Sequence, residues 1–308
     1  MRVTENMTMN MVLASLQQQQ ERVNTLQQQV SSGKRINEPS DDPISAQQAL
    51  DLKGFMASTD QYSRNIQTGT SWLSQMDTSM SDMSNVLIRA KELATQMSNG
   101  TYTAGARQTA ANEVTQLRDQ MIALGNSQIA GKYVFGGFDS DKPPFVTTDG
   151  VPAAGDITGD YKGTDDQVKI QIGQDSFIDI NYSGGKLLRG GTPPGSGGTD
   201  VIGALNNLIT ALNSNDQNGV ISSITDLNSS LQQIQAAQGD VGARENRLLD
   251  AGNVLTGTKD YLTKALSDKQ DADFTQVLGE LAKQQTAYQA TLAATAQFSR
   301  LSLLDYMK

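Results

Sequence analysis

The stretch Tyr62–Met97, YSRNIQTGTSWLSQMDTSMSDMSNVLIRAKELATQM, decides the fold. Apolar or small residues recur in it at alternating steps of four and three, for five heptads, with Gly69 as the one weak position. The series runs Tyr62, Ile66, Gly69, Leu73, Met76, Met80, Met83, Leu87, Ala90, Ala94 and Met97. One short stripe would fit an ordinary amphipathic core helix. Spacing sustained over this length favours a long helix that packs lengthwise, in a coiled coil or an elongated bundle.

A second series follows the same rule from Val220 to Leu266. It is broken at four polar or small positions: Gln238, Glu245, Gly252 and Lys259. Because both series are long, we expect them to supply the core of one helical bundle. The predicted core positions are Ile66, Leu73, Met76, Met80, Met83, Leu87, Leu227, Leu231, Ile234 and Leu248.

Between residues 132 and 198 the stripes disappear, and glycine, proline and aspartate become frequent. The segments 168–172 and 178–182 alternate apolar and polar residues, which predicts a hairpin with one buried face. The run Gly190–Gly198 has the composition of a flexible exit linker. Nine acids and three bases lie between residues 139 and 179, so this segment carries most of the acidic surplus.

The sequence therefore predicts a mainly α fold, an elongated helical bundle or coiled-coil rod built from the N- and C-terminal halves, with a small β-rich insert in the middle. We expect residues 1–44 and 270–308 to form a terminal coiled-coil segment. Residues 45–131 and 199–269 would form the helical bundle domain, and residues 132–198 an acidic β-rich insert domain.

The two ends carry heptad stripes with Gln or Thr at several seam positions, such as Gln20 and Gln284. A seam with polar residues is less stable by itself and more selective for register and partner. We therefore predict that the terminal helices mediate assembly. The predicted assembly residues are Leu13, Leu16, Val23, Leu26, Val30, Leu281, Tyr288, Leu292, Phe298, Leu301 and Leu304.

Composition argues against several functional classes. The 308 residues include no histidine and no cysteine, which removes the commonest general base, the commonest zinc ligands and every thiol nucleophile. The net charge of −9 disfavours a nucleic-acid partner. No run of the sequence is long and apolar enough for a membrane helix, and we expect no cleavable signal from its first residues. We expect no enzyme activity, catalytic residue, cofactor or metal.

One of three short motifs has both a chemical and a structural interpretation. The pair Asp41-Asp42 would suit a metal or an acid–base site, but its place between Pro39 and Pro43 favours a turn and a helix N-cap. The glycines of Gly33-Lys34-Arg35 and Asn99-Gly100 follow predicted helices and fit C-cap positions.

Both ends carry short characteristic motifs. Near the N-terminus stand Val30-Ser31-Ser32-Gly33-Lys34-Arg35-Ile36-Asn37 and Asp41-Asp42, and near the C-terminus Leu301-Ser302-Leu303-Leu304-Asp305-Tyr306. These motifs resemble the N-terminal signature and the C-terminal end of the bacterial flagellin-like family. The motif residues are Ser31, Ser32, Gly33, Arg35, Ile36, Asn37, Asp41 and Asp42. The frame Glu38-Pro39-Ser40-Asp41-Asp42-Pro43 resembles the branch of the family that forms the hook–filament junction.

The resemblance implies a structural component of the bacterial flagellum, whose terminal segments pair inside a tube and template filament growth. It implies four partners: the first hook-associated protein, flagellin, further copies of the chain in a ring layer, and a flagellar export chaperone. It also implies export through the flagellar type III apparatus without a cleaved signal. Two alternatives remain, filament flagellin itself and a carboxylate hydrolase that acts on a cell-wall polymer through the insert.

Overall fold

The computed structural model describes residues 5–146, 160–191 and 193–306, with side chains at residue 7 and, within those ranges, from residue 10 to residue 296. Seven helices lie in this part of the chain, and helix is the dominant structure, which confirms the predicted mainly α class. They are α1 Glu5–Ser32, α2 Pro43–Met97, α3 Ala104–Gly125, α4 Gly184–Leu188, α5 Val201–Asn213, α6 Gln217–Gln270 and α7 Phe274–Tyr306.

Six short strands, in the described residues between 128 and 179, form three separate antiparallel pairs. They are β1 Gln128–Ile129 with β2 Lys132–Tyr133, β3 Phe145–Val146 with β4 Asp160–Tyr161, and β5 Lys169–Gly173 with β6 Ser176–Asp179. The last pair is the predicted hairpin, with Ile170 opposite Ile178 in its register. Residues 147–159 of the predicted insert lie outside the described residues.

The chain divides into two compact units. Unit 1 consists of residues 1–58 and 257–308, and unit 2 consists of residues 59–256. Unit 2 therefore contains both the central helices and the β-rich insert. The three-segment division drawn from the sequence stays a prediction.

The core of unit 2 is continuous from the helices into the insert. Side chains of α2, α3, α5 and α6 pack with Phe135, Phe145, Ile172 and Ile178 of the insert in one cluster. Of the predicted core positions, Leu231 is partly buried at the edge of this cluster, and the others are buried: Ile66, Leu73, Met76, Met80, Met83, Leu87, Leu227, Ile234 and Leu248. The insert thus shares the apolar core of the helices that carry it.

The weak heptad position, Gly69, is where the β5–β6 hairpin packs on α2. A Cβ atom added at Gly69 would lie 2.5 Å from Cδ1 of Ile170 and 3.1 Å from Cγ2 of Ile180. It would also lie 3.2 Å from Cδ1 of Leu248 on α6. The seam lacks a side chain here because hairpin and helix side chains already fill the space.

The prediction that Gly100 caps the C-terminus of α2 is wrong. The helix ends at Met97, and the φ angle of Gly100 is not in the left-handed region. In contrast, Gly33 fits its predicted C-cap position, because it has φ +70° and its N–H donates to Gln29 O at 2.9 Å.

The prediction that 190–198 is a flexible linker is also wrong for its described residues. The N–H of Gly197 donates to Gly190 O at 2.7 Å, and the N–H of Gly195 donates to Arg189 O at 2.7 Å. The Gln233 amide on α6 accepts from Thr199 N at 2.8 Å and donates to Leu187 O at 2.9 Å. The glycines serve tight turns, which composition alone does not distinguish from a free linker.

Candidate functional site: the linker clasp and the terminal helices

Two linkers in unit 1 meet and are joined by backbone hydrogen bonds. We name this region the linker clasp (residues 33–37 and 269–272). The α1–α2 linker and the α6–α7 linker share an antiparallel bridge between Lys34 and Asp271. The N–H of Ala272 donates to Gly33 O at 3.0 Å, and the N–H of Arg35 donates to Gln270 O at 2.8 Å. The clasp therefore ties the N-terminal and C-terminal parts of the chain together where both leave one helix for the next.

Backbone geometry explains the first half of the motif. Gly33 ends α1 in a left-handed conformation that other residues adopt only with strain. The Ser32 hydroxyl accepts from Lys34 N at 3.1 Å, which fixes the first bend after the helix. Ile36 is 4% exposed and is one of few buried apolar side chains in unit 1. Ser31, in the last turn of α1, is exposed.

Arg35 reaches across the clasp to the end of another helix. Its Nη2 donates to Lys269 O in the last turn of α6 at 2.9 Å, and its Nη1 lies 3.8 Å from Oδ2 of Asp42. A guanidinium at a helix C-terminus pairs with carbonyl groups that have no partner within the helix. Arg35 thus links α6 to the beginning of α2 with a single side chain.

The acidic pair is used by the backbone. Asp41 Oδ2 accepts from Asn37 N at 2.9 Å and from Glu38 N at 3.0 Å, which closes the turn. Asp42 Oδ1 accepts from Ser45 N at 3.1 Å, so Asp42 is the N-cap of α2, which starts at Pro43. The turn and cap interpretation of the pair is the one that these bonds support.

Hydrogen bonding also stabilises the charged form of both acids. The pKa of Asp41 is lowered by the N–H groups of Glu38 and Asn37. The pKa of Asp42 is lowered by its hydrogen bonds with Ser45, and the charge of Arg35 adds to the effect. In the described part of the chain, no group of three or more acidic side chains is arranged to hold a metal ion.

The terminal helices α1 and α7 pack along each other in unit 1. The Tyr288 hydroxyl on α7 donates to Gln20 Oε1 on α1 at 3.3 Å, so a polar seam position is used in the pairing. Among the predicted assembly residues whose side chains are described, the pairing leaves every one half-buried or exposed. Leu16, Val23, Leu26, Val30, Leu281 and Tyr288 are half-buried, and Leu13 and Leu292 are 48% and 44% exposed. The backbone at Phe298, Leu301 and Leu304 belongs to α7, but their side chains lie outside the described residues.

Unit 1 exposes much of its apolar surface. Its buried apolar side chains, among the described residues, are Ile36, Ala49 and Leu262. Its exposed large ones are more numerous: Met7, Met11, Leu13, Ile44, Leu50, Phe55, Tyr261, Phe274, Leu278 and Leu292. Unit 2, in contrast, holds a core that runs through helices and insert. The described part of unit 2 exposes six large apolar side chains, but it buries most of its apolar residues in this core, whereas unit 1 does not.

Sequence reasoning missed the C-terminal half of the clasp. Lys269, Gln270 and Ala272 contribute backbone atoms only, so their side chains give no signal.

Among the described residues, no helix combines the length and the apolar character that crossing a membrane would require.

These features define a mainly helical protein whose N- and C-terminal segments pair with each other. Residues 3–139 match the model of the bacterial flagellin N-terminal helical region, and residues 224–307 match that of the C-terminal helical region. The two matches include the clasp and both terminal helices. The chain belongs to the bacterial flagellin family.

Similar proteins agree with this assignment. The flagellar hook-associated protein 3 of Escherichia coli K12 is 27% identical over 299 residues, which covers 91% of this chain and 92% of that protein. The protein of the same name from Salmonella typhimurium is 25% identical over 323 residues, 99% of each. A solved structure of a hook-associated protein from Vibrio parahaemolyticus superposes with a TM-score of 0.66 at 21% identity, over 75% of this chain and 100% of that one. The similarity to this solved structure is a similarity of fold.

Proposed function

We propose that this chain is a structural adaptor at the hook–filament junction of the bacterial flagellum. One observation carries the proposal, the division of the chain into a unit with a closed apolar core and a terminal unit with its apolar side chains largely exposed. Exposed apolar area of this kind marks a surface that another protein covers. The names of the two relatives associate those proteins with the flagellar hook, and the resemblance of the frame from Glu38 to Pro43 supports the junction.

Assembly through the ends follows from the same observation. Unit 1 gains apolar burial only when neighbouring subunits cover α1 and α7, so its full stability depends on association. A contact repeated from subunit to subunit by one rotation closes into a ring or continues as a helix. We propose that copies of this chain form such a layer, with the first hook-associated protein on one side and flagellin on the other.

The proposal also covers the route of the protein. A flagellar export chaperone would hold the exposed C-terminal helix before export, since α7 carries several of the exposed apolar side chains. Export would proceed without a cleaved signal, to a place outside the cell. No reaction is part of this function, because the clasp acids are engaged with backbone N–H groups and the seam residues carry no reactive group.

The position of the protein on the flagellum is the decisive test. Labelled protein on detached flagella should appear as one short band between hook and filament. Label along the whole filament would identify the chain as a filament flagellin instead. Turnover of peptidoglycan by the purified protein would contradict a purely structural role.

A pair of variants tests the role of unit 1. Leu13 in unit 1 and Ile221 in unit 2 have similar exposure, 48% and 50%. Leu13→Asp should abolish motility while the amount of exported protein and the melting of unit 2 stay normal. Ile221→Asp is the matched control for the loss of an exposed apolar side chain, and it should keep the cells motile. Normal motility with Leu13→Asp would remove this face of α1 from the interface.

A further inference from the structure

Gly100 has no structural reason to be a glycine. Its φ angle is outside the left-handed region, so backbone conformation does not require it. A Cβ atom added there would have the Gln217 side chain as its nearest neighbour, with Oε1 at 3.5 Å, an ordinary contact. Packing therefore does not require it either. What remains is its position directly after Asn99 in an exposed turn.

The side-chain amide of Asn99 is polarised by its neighbour. Its Oδ1 accepts two hydrogen bonds from Thr101, one from the backbone N–H and one from the hydroxyl, each at 3.1 Å. Two donors on a carbonyl oxygen stabilise the negative charge that develops there when a nucleophile attacks the carbon. Among the described residues, none accepts a hydrogen bond from the N–H of Gly100.

We propose that Asn99-Gly100 is a site of spontaneous deamidation in the folded protein. Hydroxide removes the proton from the Gly100 N–H, and the nitrogen attacks Cγ of Asn99. The C–N bond to the side-chain amide breaks as that nitrogen takes a proton from water, so ammonia leaves, hydroxide is regenerated, and a five-membered succinimide ring remains. Water then opens the ring at either carbonyl and gives aspartate or isoaspartate. The balance is one water consumed and one ammonia released for each amide lost.

The product changes a contact inside unit 2. The backbone oxygen of Asn99 accepts from Nη2 of Arg107 at 3.2 Å. Arg107 is 4% exposed, and its Nε donates to Met97 O at 3.1 Å, so this guanidinium holds the end of α2. In isoaspartate the peptide bond to Gly100 is made by Cγ, so the main chain is one methylene group longer and the former backbone carbonyl becomes a free carboxylate. The oxygen that Arg107 contacts is therefore displaced and carries a new negative charge, which alters this buried contact.

The chain contains a second Asn-Gly pair, which serves as an internal control. Asn218 and Gly219 lie in the first turn of α6, where the N–H of Val220 donates to Asp216 O at 3.1 Å. A Cβ atom at Gly219 would lie 2.9 Å from Cβ of Ala211, so packing explains that glycine. Ring closure at Asn218 requires the first turn of the helix to unwind. The two pairs have the same dipeptide sequence in different local structures. A difference between their deamidation rates therefore reports the effect of local structure.

The test uses the full-length folded protein, aged in mildly alkaline buffer made with heavy-oxygen water and then digested with trypsin. Cleavage after Lys91 and Arg107 gives a fragment in which Asn99 is the sole asparagine. We expect this fragment to gain the mass of the conversion together with one heavy oxygen, and to become a substrate for isoaspartyl methyltransferase. Asn218 should stay intact in the same sample.

Three variants and a free peptide sharpen the result. Gly100→Ala should slow the reaction about tenfold, because a Cβ hinders the approach of the nitrogen. Thr101→Val should slow it several-fold, because the hydroxyl donor is lost. Asn99→Gln should abolish it. A synthetic 92–107 peptide that reacts while Asn99 in the folded protein does not would overturn the proposal, as would equal rates at Asn99 and Asn218. This modification is independent of the proposed function.

Discussion

For the substitution Gly69→Ala, the heptad pattern and the structure predict opposite effects on stability. On the pattern, Gly69 is a defect in a long helix, and alanine should stabilise the helix by about 1 kcal/mol. In the structure, the added methyl group would lie 2.5, 3.1 and 3.2 Å from three apolar side chains of the hairpin and α6. Overpacking of this kind costs about 1–3 kcal/mol. The net expectation runs from no change to a loss of about 2 kcal/mol.

Gly252→Ala is the matched control in the facing helix. Its new methyl group would have Cγ2 of Ile66 as nearest neighbour at 3.8 Å, an ordinary van der Waals distance. The full helix-propensity gain of about 1 kcal/mol should therefore appear. For a domain of this size each kcal/mol moves the melting temperature by about 2–4 °C, so opposite signs at the two glycines are measurable.

The assay is denaturant unfolding followed by circular dichroism and by the fluorescence of Trp72. This is the single tryptophan of the chain, and it lies one helical turn after Gly69. Its fluorescence should report the region that the methyl group disturbs. Gly69→Leu should lose more stability than Gly69→Ala, because it adds three more heavy atoms to the same filled space. Equal stabilisation by alanine at positions 69 and 252 would refute the packing of the hairpin on α2.

Three further predictions follow from the two units. Deleting residues 278–308 should leave the cooperative melting of unit 2 intact and abolish motility, and a motile truncation would contradict assembly through α7. Leu73→Asp should unfold unit 2, because Leu73 is fully buried and an unpaired buried charge costs several kcal/mol, roughly the stability of a domain. Unchanged melting of this variant would place Leu73 outside the core. Burial, followed by the charge of Asp77, raises the pKa of Glu245, so the free energy of unfolding should fall as pH rises through the titration of Glu245. Glu245→Gln should remove this fall. A variant with the same pH profile as the wild-type protein would contradict the prediction.

Elements with local periodicity were predictable from the sequence. The 4-3 spacing of α2 and the alternation in β5 and β6 repeat within a few residues, and each repeat reports one buried face. The N-cap at Asp42 was predictable for a similar reason, because proline at N1 after an acid is a local signal.

Features that depend on distant partners were not predictable. Gly69 appears as a defect until Ile170 and Ile180 of the hairpin are placed against it. The loop 190–198 has the composition of a free linker, and the sequence does not show that Gln233, on a helix further along the chain, bonds the flanking residues Thr199 and Leu187. Likewise, the bond from Arg35 to Lys269 O spans 234 positions of the sequence. A single sequence does not report such pairings, since each partner is ordinary in its own neighbourhood.

The clasp gives the terminal motif a physical role before any subunit contact forms. Its bonds are mostly backbone hydrogen bonds and a half-exposed ion pair, interactions that each contribute modestly. They are too weak to replace the missing apolar burial of unit 1, but they hold together the end of α1 and the linker that leads into α7. In a growing layer, neighbouring subunits then need only to cover the exposed apolar side chains of unit 1, because α1 and α7 are already paired within one chain. Loss of Arg35 should therefore impair assembly while the core of unit 2 is untouched, and an Arg35→Ala protein that assembles normally would leave the clasp without this role.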